Sequence, residues 1–308
     1  MSGLRPDDLV RRILPAARLR RELPGGEANR SFHVSIDGRG ANLRVYLQED
    51  WPRFHAELQT LIWLEGVRAR APRLLSHGVL DLLGGAPYML LSWIEGRTLA
   101  HHAATASPES LQESIRRTIE EAERISALVG VPRPGYFHVG DEGPVVEGDL
   151  HHDLERYTNV IREYDVLPIH LLEAAIVAAT RGLDDVRTPD PRLVHPDLKP
   201  ANVIVAQDEP QTFLIDWELA VGGHPALAYG GLLAEGCADP AMARAISRVL
   251  GTGSATYRRA ARTAGLLRLL EVASYLPHYA GTINGRKVRP DRADLSLSLG
   301  RILEFSDE

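Results

Sequence analysis

Four side chains within eight residues have the types and spacing to act together. In "LVHPDLKPANVIV" (193–205), His195, Asp197, Lys199 and Asn202 stand between the apolar runs Leu193–Val194 and Val203–Ile204–Val205. A further apolar run, "TFLI" (212–215), delivers Asp216–Trp217–Glu218. A short strand, a polar loop and a second strand ending in acids would bring Asp197, Asn202 and Asp216 near one another. Phosphoryl transfer needs such a set. One carboxylate orients and deprotonates an attacking hydroxyl, an amide oxygen and a second carboxylate hold Mg²⁺ on nucleotide phosphates, and a cation such as Lys199 stabilises the transferring group. Only Lys199 and Lys287 are lysines among 35 basic residues, so a lysine in this loop stands out from an arginine-rich background.

The flanking pattern says what must carry these residues. Residues 5–21 read as a helix, with Leu9, Val10, Ile13 and Leu14 on one side. "LPGGEANRSFHVSIDGRGANLRVYL" (23–47) is a glycine-bearing turn followed by a hairpin around "DGRG". "WPRFHAELQTLIWLEG" (51–66) reads as a helix ended by Gly66. "APRLLSHGVL" and "APYMLLSWI" are two more strands, and "EGRTL" is a connector. Beyond Pro108 the period becomes helical: Leu111, Ile115, Ile119, Ala122, Ile125 and Val129 form one apolar stripe. Residues 151–165 and 168–182 are further helices, and the chain is mostly helical from 226 onward. These readings predict an α+β chain with a small antiparallel β-rich lobe (1–94), a short hinge, and a larger, mostly helical lobe (95–308) carrying a small β-hairpin.

Composition narrows the function classes. Hydrophobic residues make up 44% and charged residues 25% of the 308, enough for two modest lobes around a cleft. The net charge of -6 disfavours non-specific binding to nucleic acid or an anionic membrane. Cys237 is the only cysteine, which excludes an intrachain disulfide and fits a reducing cytoplasm. The N-terminal stretch lacks the apolar core of a secretory signal, and "YMLLSWI" is far short of the ~20 residues of a membrane helix.

The segment "LVHPDLKPANVIV…FLIDWELAVGGHPALAYGGLLAE" resembles the aminoglycoside phosphotransferase/choline kinase family of small-molecule kinases, and "HPDLKPAN" also resembles a protein-kinase catalytic loop. The resemblance implies a protein-kinase-like bilobal fold. It makes Asp197 the catalytic base with Lys199 beside it, Asn202 and Asp216 metal ligands, Glu218 a weaker third ligand, and His195 a buttress. It likens the turn carrying Gly25, Gly26, Asn29 and Ser31 to a phosphate-covering loop; a plain hairpin turn is the alternative. Arg44 takes the place of the phosphate-binding lysine. Glu57 becomes its ion-pair partner, with a solvated helix acid as the alternative. "LLSWIEG" resembles the adenine-pairing hinge, through the Ser92 carbonyl and the Ile94 N–H. Mg²⁺ and ATP or GTP are implied, as is a small-molecule acceptor, with a monomer or homodimer as the assembly.

The family often reads "GDPAxDLxxLL" after the metal acids; His224 and Ala228 stand here at the two acidic places. The second acid usually braces the catalytic loop. Asp216 is followed too soon by "GGHPALAYGG" for the activation segment of a protein kinase. Residues 97–192 hold 17 acidic against 10 basic residues, in and around "GDEGPVVEGDLHHDLE". That surplus suits an aminoglycoside, amino sugar or amino alcohol as acceptor. The alternatives are a solvated acidic face with a neutral sugar or nucleoside as acceptor, or a weakly active kinase-like nucleotide binder. "GDLHHD" (148–153) reads as a turn at a helix start rather than a metal site, and Cys237 as inert.

Overall fold

The computed structural model describes residues 5–23, 29–46, 51–80, 84–132, 134–136, 150–207, 211–278, 282–283, 286–287 and 291–305. Helix α1 (Pro6–Ile13) leads into a five-stranded antiparallel sheet of β1 (Arg18–Glu22), β2 (Asn29–Ile36), β3 (Arg39–Tyr46), β4 (Leu74–Leu80) and β5 (Ala86–Ser92), ordered β1-β2-β3-β5-β4. Helix α2 (Trp51–Gly66) is set between β3 and β4. The β2–β3 hairpin turns at Asp37 and Gly38, whose φ values of 49 and 81 are what a tight hairpin turn asks of an Asp-Gly pair. One face of the sheet buries Phe32, Val34, Leu43, Val45 and Leu90 against Leu9 and Val10 of α1. The other face carries Ser31, His33, Asn42 and Arg44.

Helix α1 is shorter than the sequence reading of 5–21. Leu14 precedes Pro15, and the proline ring pushes the residue before it out of the helical region, here to φ -133 and ψ 84. The rest of that stretch becomes the edge strand β1, paired Arg18 with Ser35 through Glu22 with Phe32.

The second lobe is held by α3 (Leu99–Ala103), α4 (Pro108–Leu128), α5 (Leu150–Glu163), α6 (Ile169–Gly182), α7 (Tyr229–Gly236), α8 (Pro240–Leu250), α9 (Ala255–Tyr275) and α10 (Arg292–Leu303). Ser107 caps α4 by accepting from the Ser110 N–H, and Leu111, Ile115, Ile119, Ala122 and Ile125 are all buried along one side. Burying each aliphatic side chain contributes about 1.5–3 kcal/mol, so an acid at Ile115 would undo the helix's main attachment.

The short strands do not pair as their order suggests. The flanks of the polar loop, β8 (Arg192–Val194) and β9 (Val203–Ala206), lie in different sheets. Strand β9 pairs with β10 (Thr212–Leu214) and with β6 (Gly96–Thr98), the stretch read as a mere connector. Strand β8 pairs with β11 (Val221–Gly223), which also pairs with β7 (Gly135–Tyr136). The polar loop therefore crosses from one sheet to the other. No described helix is long and apolar enough to cross a membrane.

Candidate active site

The loop between β8 and β9 is tied down by its own polar groups. The Lys199 N–H donates to the Asp197 carbonyl and the Asn202 N–H to the Lys199 carbonyl, each at 2.8 Å. Asn202 Nδ2 donates to both the carbonyl and Oδ2 of Asp197 at 2.9 Å. His195 Nε2 lies 2.8 Å from the Ile215 carbonyl; a carbonyl only accepts, so Nε2 carries the proton. Burial lowers the His195 pKa and favours the neutral ring, against the Ile215 hydrogen bond, which pulls the other way. The Ile215 N–H in turn donates to the Asn202 carbonyl at 2.9 Å. These bonds fasten the loop to the end of β10, where Asp216 stands.

Asp216 adopts left-handed backbone (φ 68, ψ 62), a conformation that Asp tolerates better than most residues. Its Oδ1 accepts from Arg44 Nη1 of β3 at 2.8 Å. The same Nη1 reaches both oxygens of Glu57 in α2 at 2.7 Å, and the Tyr46 hydroxyl also donates to Glu57. Arg44 and Glu57 are buried. Glu218, two residues on, accepts from Asn29 Nδ2 at 3.0 Å and lies 3.9 Å from Arg53 Nη1. Ser31 Oγ donates to Asn29 Oδ1 at 3.1 Å. Asn29 and Ser31 thus lie on β2, where Asn29 reaches down to the segment of the acids and Ser31 holds Asn29. Gly25 and Gly26 lie outside the described residues.

The charges converge unevenly. Glu57, Asp216 and Glu218 gather around Arg44, and burial, then Asp216 and Glu57, push the Glu218 carboxyl up to about 8. Repulsion from Asp216 and Glu57 helps to hold a proton on Glu218, and a hard cation could take that proton's place among the three carboxylates. Asn202 spends its Nδ2 on Asp197, which leaves its amide oxygen for such an ion. Among the described residues no group of three His, Cys, Asp or Glu side chains could hold a metal alone. Asn202, Asp216 and Glu218 fit Mg²⁺, an ion satisfied by a few protein oxygens plus phosphate and water.

Asp197 is held at both carboxylate oxygens. Its Oδ2 is 3.0 Å from Lys199 Nζ, and its Oδ1 accepts from Arg268 Nη2 of α9. Burial alone would raise its pKa; Arg268 and Lys199 outweigh burial and hold it below the usual carboxylate value. Glu235 of α7 lies nearby, and burial pushes its carboxyl up to about 7 against the opposing pull of Lys199.

Sequence reasoning did not find Arg268, Glu235 or Tyr46. Arg268 is one of many arginines, and nothing local distinguishes it. Tyr46 was legible in principle, as it lies on the same face of β3 as Arg44. Ser92 and Ile94 stand where β5 leaves the first sheet; the Ser92 N–H and Oγ are both tied to the Arg73 backbone. Beside them, Trp93 stacks on His33 with centroids 3.7 Å apart and planes at 3°. His151 and His152 lie exposed in the first turn of α5, while Cys237 is buried and its thiol is pushed up to about 12.

An antiparallel sheet with an inserted helix, joined to a helical lobe and meeting it at an Asp–Asn–Asp cluster, defines a small-molecule phosphotransferase of protein-kinase-like fold. The chain belongs to the phosphotransferase enzyme family (APH), whose pattern matches residues 20–262. Among solved structures it is similar to a thermostable variant of aminoglycoside phosphotransferase APH(4)-Ia in ternary complex with ADP and hygromycin B, at 17% identity over 96% of both chains, with a TM-score of 0.68. It is similar to aminoglycoside 2'-phosphotransferase-IIIa with GDP, at 18% identity over 87% of this chain and 88% of that one, with a TM-score of 0.64. The gentamicin complex of APH(2")-IIa follows at 15% identity over 100% and 99%, with a TM-score of 0.56. At these identities the likeness is one of fold. No curated protein matches the sequence.

Proposed function

We propose that the protein transfers the γ-phosphoryl group of ATP or GTP to a hydroxyl of a small molecule bearing amines, such as an aminoglycoside, amino sugar or amino alcohol. The convergence of Asp197, Asn202 and Asp216 beside the Arg44–Glu57 pair supports this reading. Asp197 orients the acceptor hydroxyl and takes its proton, Lys199 stabilises charge on the transferring group, and Asn202, Asp216 and Glu218 hold Mg²⁺. When bound, that ion neutralises charge on the nucleotide phosphates. Both acid partners of Arg44 use Nη1, which leaves Nη2 to face a phosphate oxygen. The Ser92 carbonyl and Ile94 N–H pair with the base. Residues 1–94 form the nucleotide lobe and 95–308 the catalytic and acceptor lobe.

Two observations support an amine-bearing acceptor. The acid surplus falls within residues 97–192, and structural neighbours are complexed with hygromycin B and gentamicin. One observation favours a second reading, a neutral hydroxyl acceptor: Lys199 and Arg268 place two cations on the base itself. ADP release is measured across hygromycin B, gentamicin, their N-acetylated forms, neutral sugars and nucleosides. Cationic acceptors are expected to be best, with efficiency falling as salt rises, because charges beyond about 8–10 Å are screened. A neutral acceptor that leads the panel without salt dependence selects the second reading. Absence of transfer to every hydroxyl compound overturns both.

A further inference from the structure

Residue 228 is a buried Ala, so it offers the loop between β8 and β9 no charged partner. A different device touches the loop here. Arg268 Nη2 meets Asp197 Oδ1, and Arg268 Nη1 meets Glu271 Oε2 at 2.7 Å within the same helix. Both side chains are only 13% exposed and Asp197 is 7% exposed, so the guanidinium is clamped between two acids with little access to water.

The neighbouring helix makes this reach feasible. A Cβ on Gly230 would lie 2.9 Å from both the Ala264 carbonyl oxygen and Arg268 Cβ, so α7 and α9 touch there as closely as a glycine permits. A Cβ on Gly231 would lie 2.7 Å from the Leu198 carbonyl carbon and 2.9 Å from the Lys199 nitrogen. Consecutive glycines of α7 therefore seat α9 on one side and the catalytic loop on the other. Arg268 extends from α9 over this thin seam to the base.

We propose that Arg268 is a positioning residue that fixes the Asp197 carboxylate from α9, and that the Gly230–Gly231 seam sets its reach. The inference rests on Asp197 being the base. Asn202 and Lys199 hold Oδ2 from within the loop, and Arg268 holds Oδ1 from outside it. A carboxylate has about four lone-pair sites. With three held by protein donors, about one remains to accept the incoming hydroxyl proton, and its direction is set. A base misplaced by ~1 Å loses up to about 100-fold in rate.

The test uses the full chain with Mg²⁺ and ATP, with hygromycin B and then water alone as phosphoryl acceptor, together with the dissociation constant for ADP. Arg268→Met is expected to lower kcat at least ~10-fold while ADP affinity and the KM for ATP stay within about twofold. Arg268→Lys recovers much of the loss, and Gly230→Ala lowers kcat in the same direction. In the Asp197→Asn background, Arg268→Met changes nothing further, because its effect runs through that carboxylate. An equal loss in both backgrounds, or a loss confined to the KM of the acceptor, overturns the proposal. Unchanged turnover in Asp197→Asn alone fails the underlying reading instead. Where turnover is too slow to read, amide exchange decides. Arg268→Met should raise exchange at 197–199, and Arg268→Lys should raise it less, while α9 keeps its protection; unchanged exchange in Arg268→Met overturns the proposal.

Discussion

Arg44 Nη1 lies 2.8 Å from Asp216 Oδ1 across 172 residues of chain. That bond joins the third strand of the small lobe to the end of the loop hairpin, and the same nitrogen pairs with buried Glu57. Arg44→Met would leave Glu57 buried without its counter-charge. Breaking a buried pair from one side costs roughly 3–5 kcal/mol, and the loss should appear in a denaturant midpoint. Arg44→Met with Glu57→Gln should cost less than the two single losses added together. Strict additivity would show that the two residues do not act as a pair.

Asp197→Asn should keep the fold and nucleotide affinity while lowering turnover at least ~100-fold, the usual worth of a positioned acid–base group. Calorimetric titration with ADP and initial rates on the best acceptor measure the two separately. Near-normal turnover would remove Asp197 from the chemistry.

Asp216→Asn takes one carboxylate from the candidate Mg²⁺ site and one anion from Arg44. Activity should be lost and should not return as Mg²⁺ is raised, whereas Lys199→Ala should lower the rate with its Mg²⁺ dependence intact. Wild-type rates for Asp216→Asn at saturating Mg²⁺ would mean that this hairpin does not hold the ion.

Glu218 gives the metal-free protein a pH-dependent stability. Its folded pKa is raised to about 8 by burial and by Asp216 and Glu57. The folded state therefore holds a proton that the unfolded chain releases near its ordinary value of 4.5. The stabilisation is complete below that value and is lost as pH rises through about 8. Melting temperature in chelator should fall between pH 5 and 8, and Glu218→Gln should flatten the decline. An unchanged slope in that variant would place the titration elsewhere.

Much of the fold was readable from local chemistry. The apolar stripe of α4 follows the helical period from Leu111 to Ile125, and all five of its residues are buried. Asp37–Gly38 announces the β2–β3 hairpin because few other pairs turn so tightly. The helix expected over 5–21 stops short of Pro15, because proline pushes the residue before it out of the helical region whatever the apolar period. The His195–Asn202 stretch announced itself because its polar residue types are out of place between apolar runs.

Partnership was decided by the tertiary structure. Leu193, Val194, Val203 and Val205 are buried as their apolar runs imply, with Ile204 half-buried, but such short runs carry no mark of which edge they will meet, and they joined different sheets. Glu57 on α2 faces Arg44 because of where the helix is set, and a sequence offset of thirteen residues does not determine that. Arg268 reaches Asp197 from 71 residues away, over a seam thinned by Gly230 and Gly231. Such contacts leave no local signature, since propensity and period act within a few turns of chain. Charge pairing between distant segments depends on where whole elements come to rest.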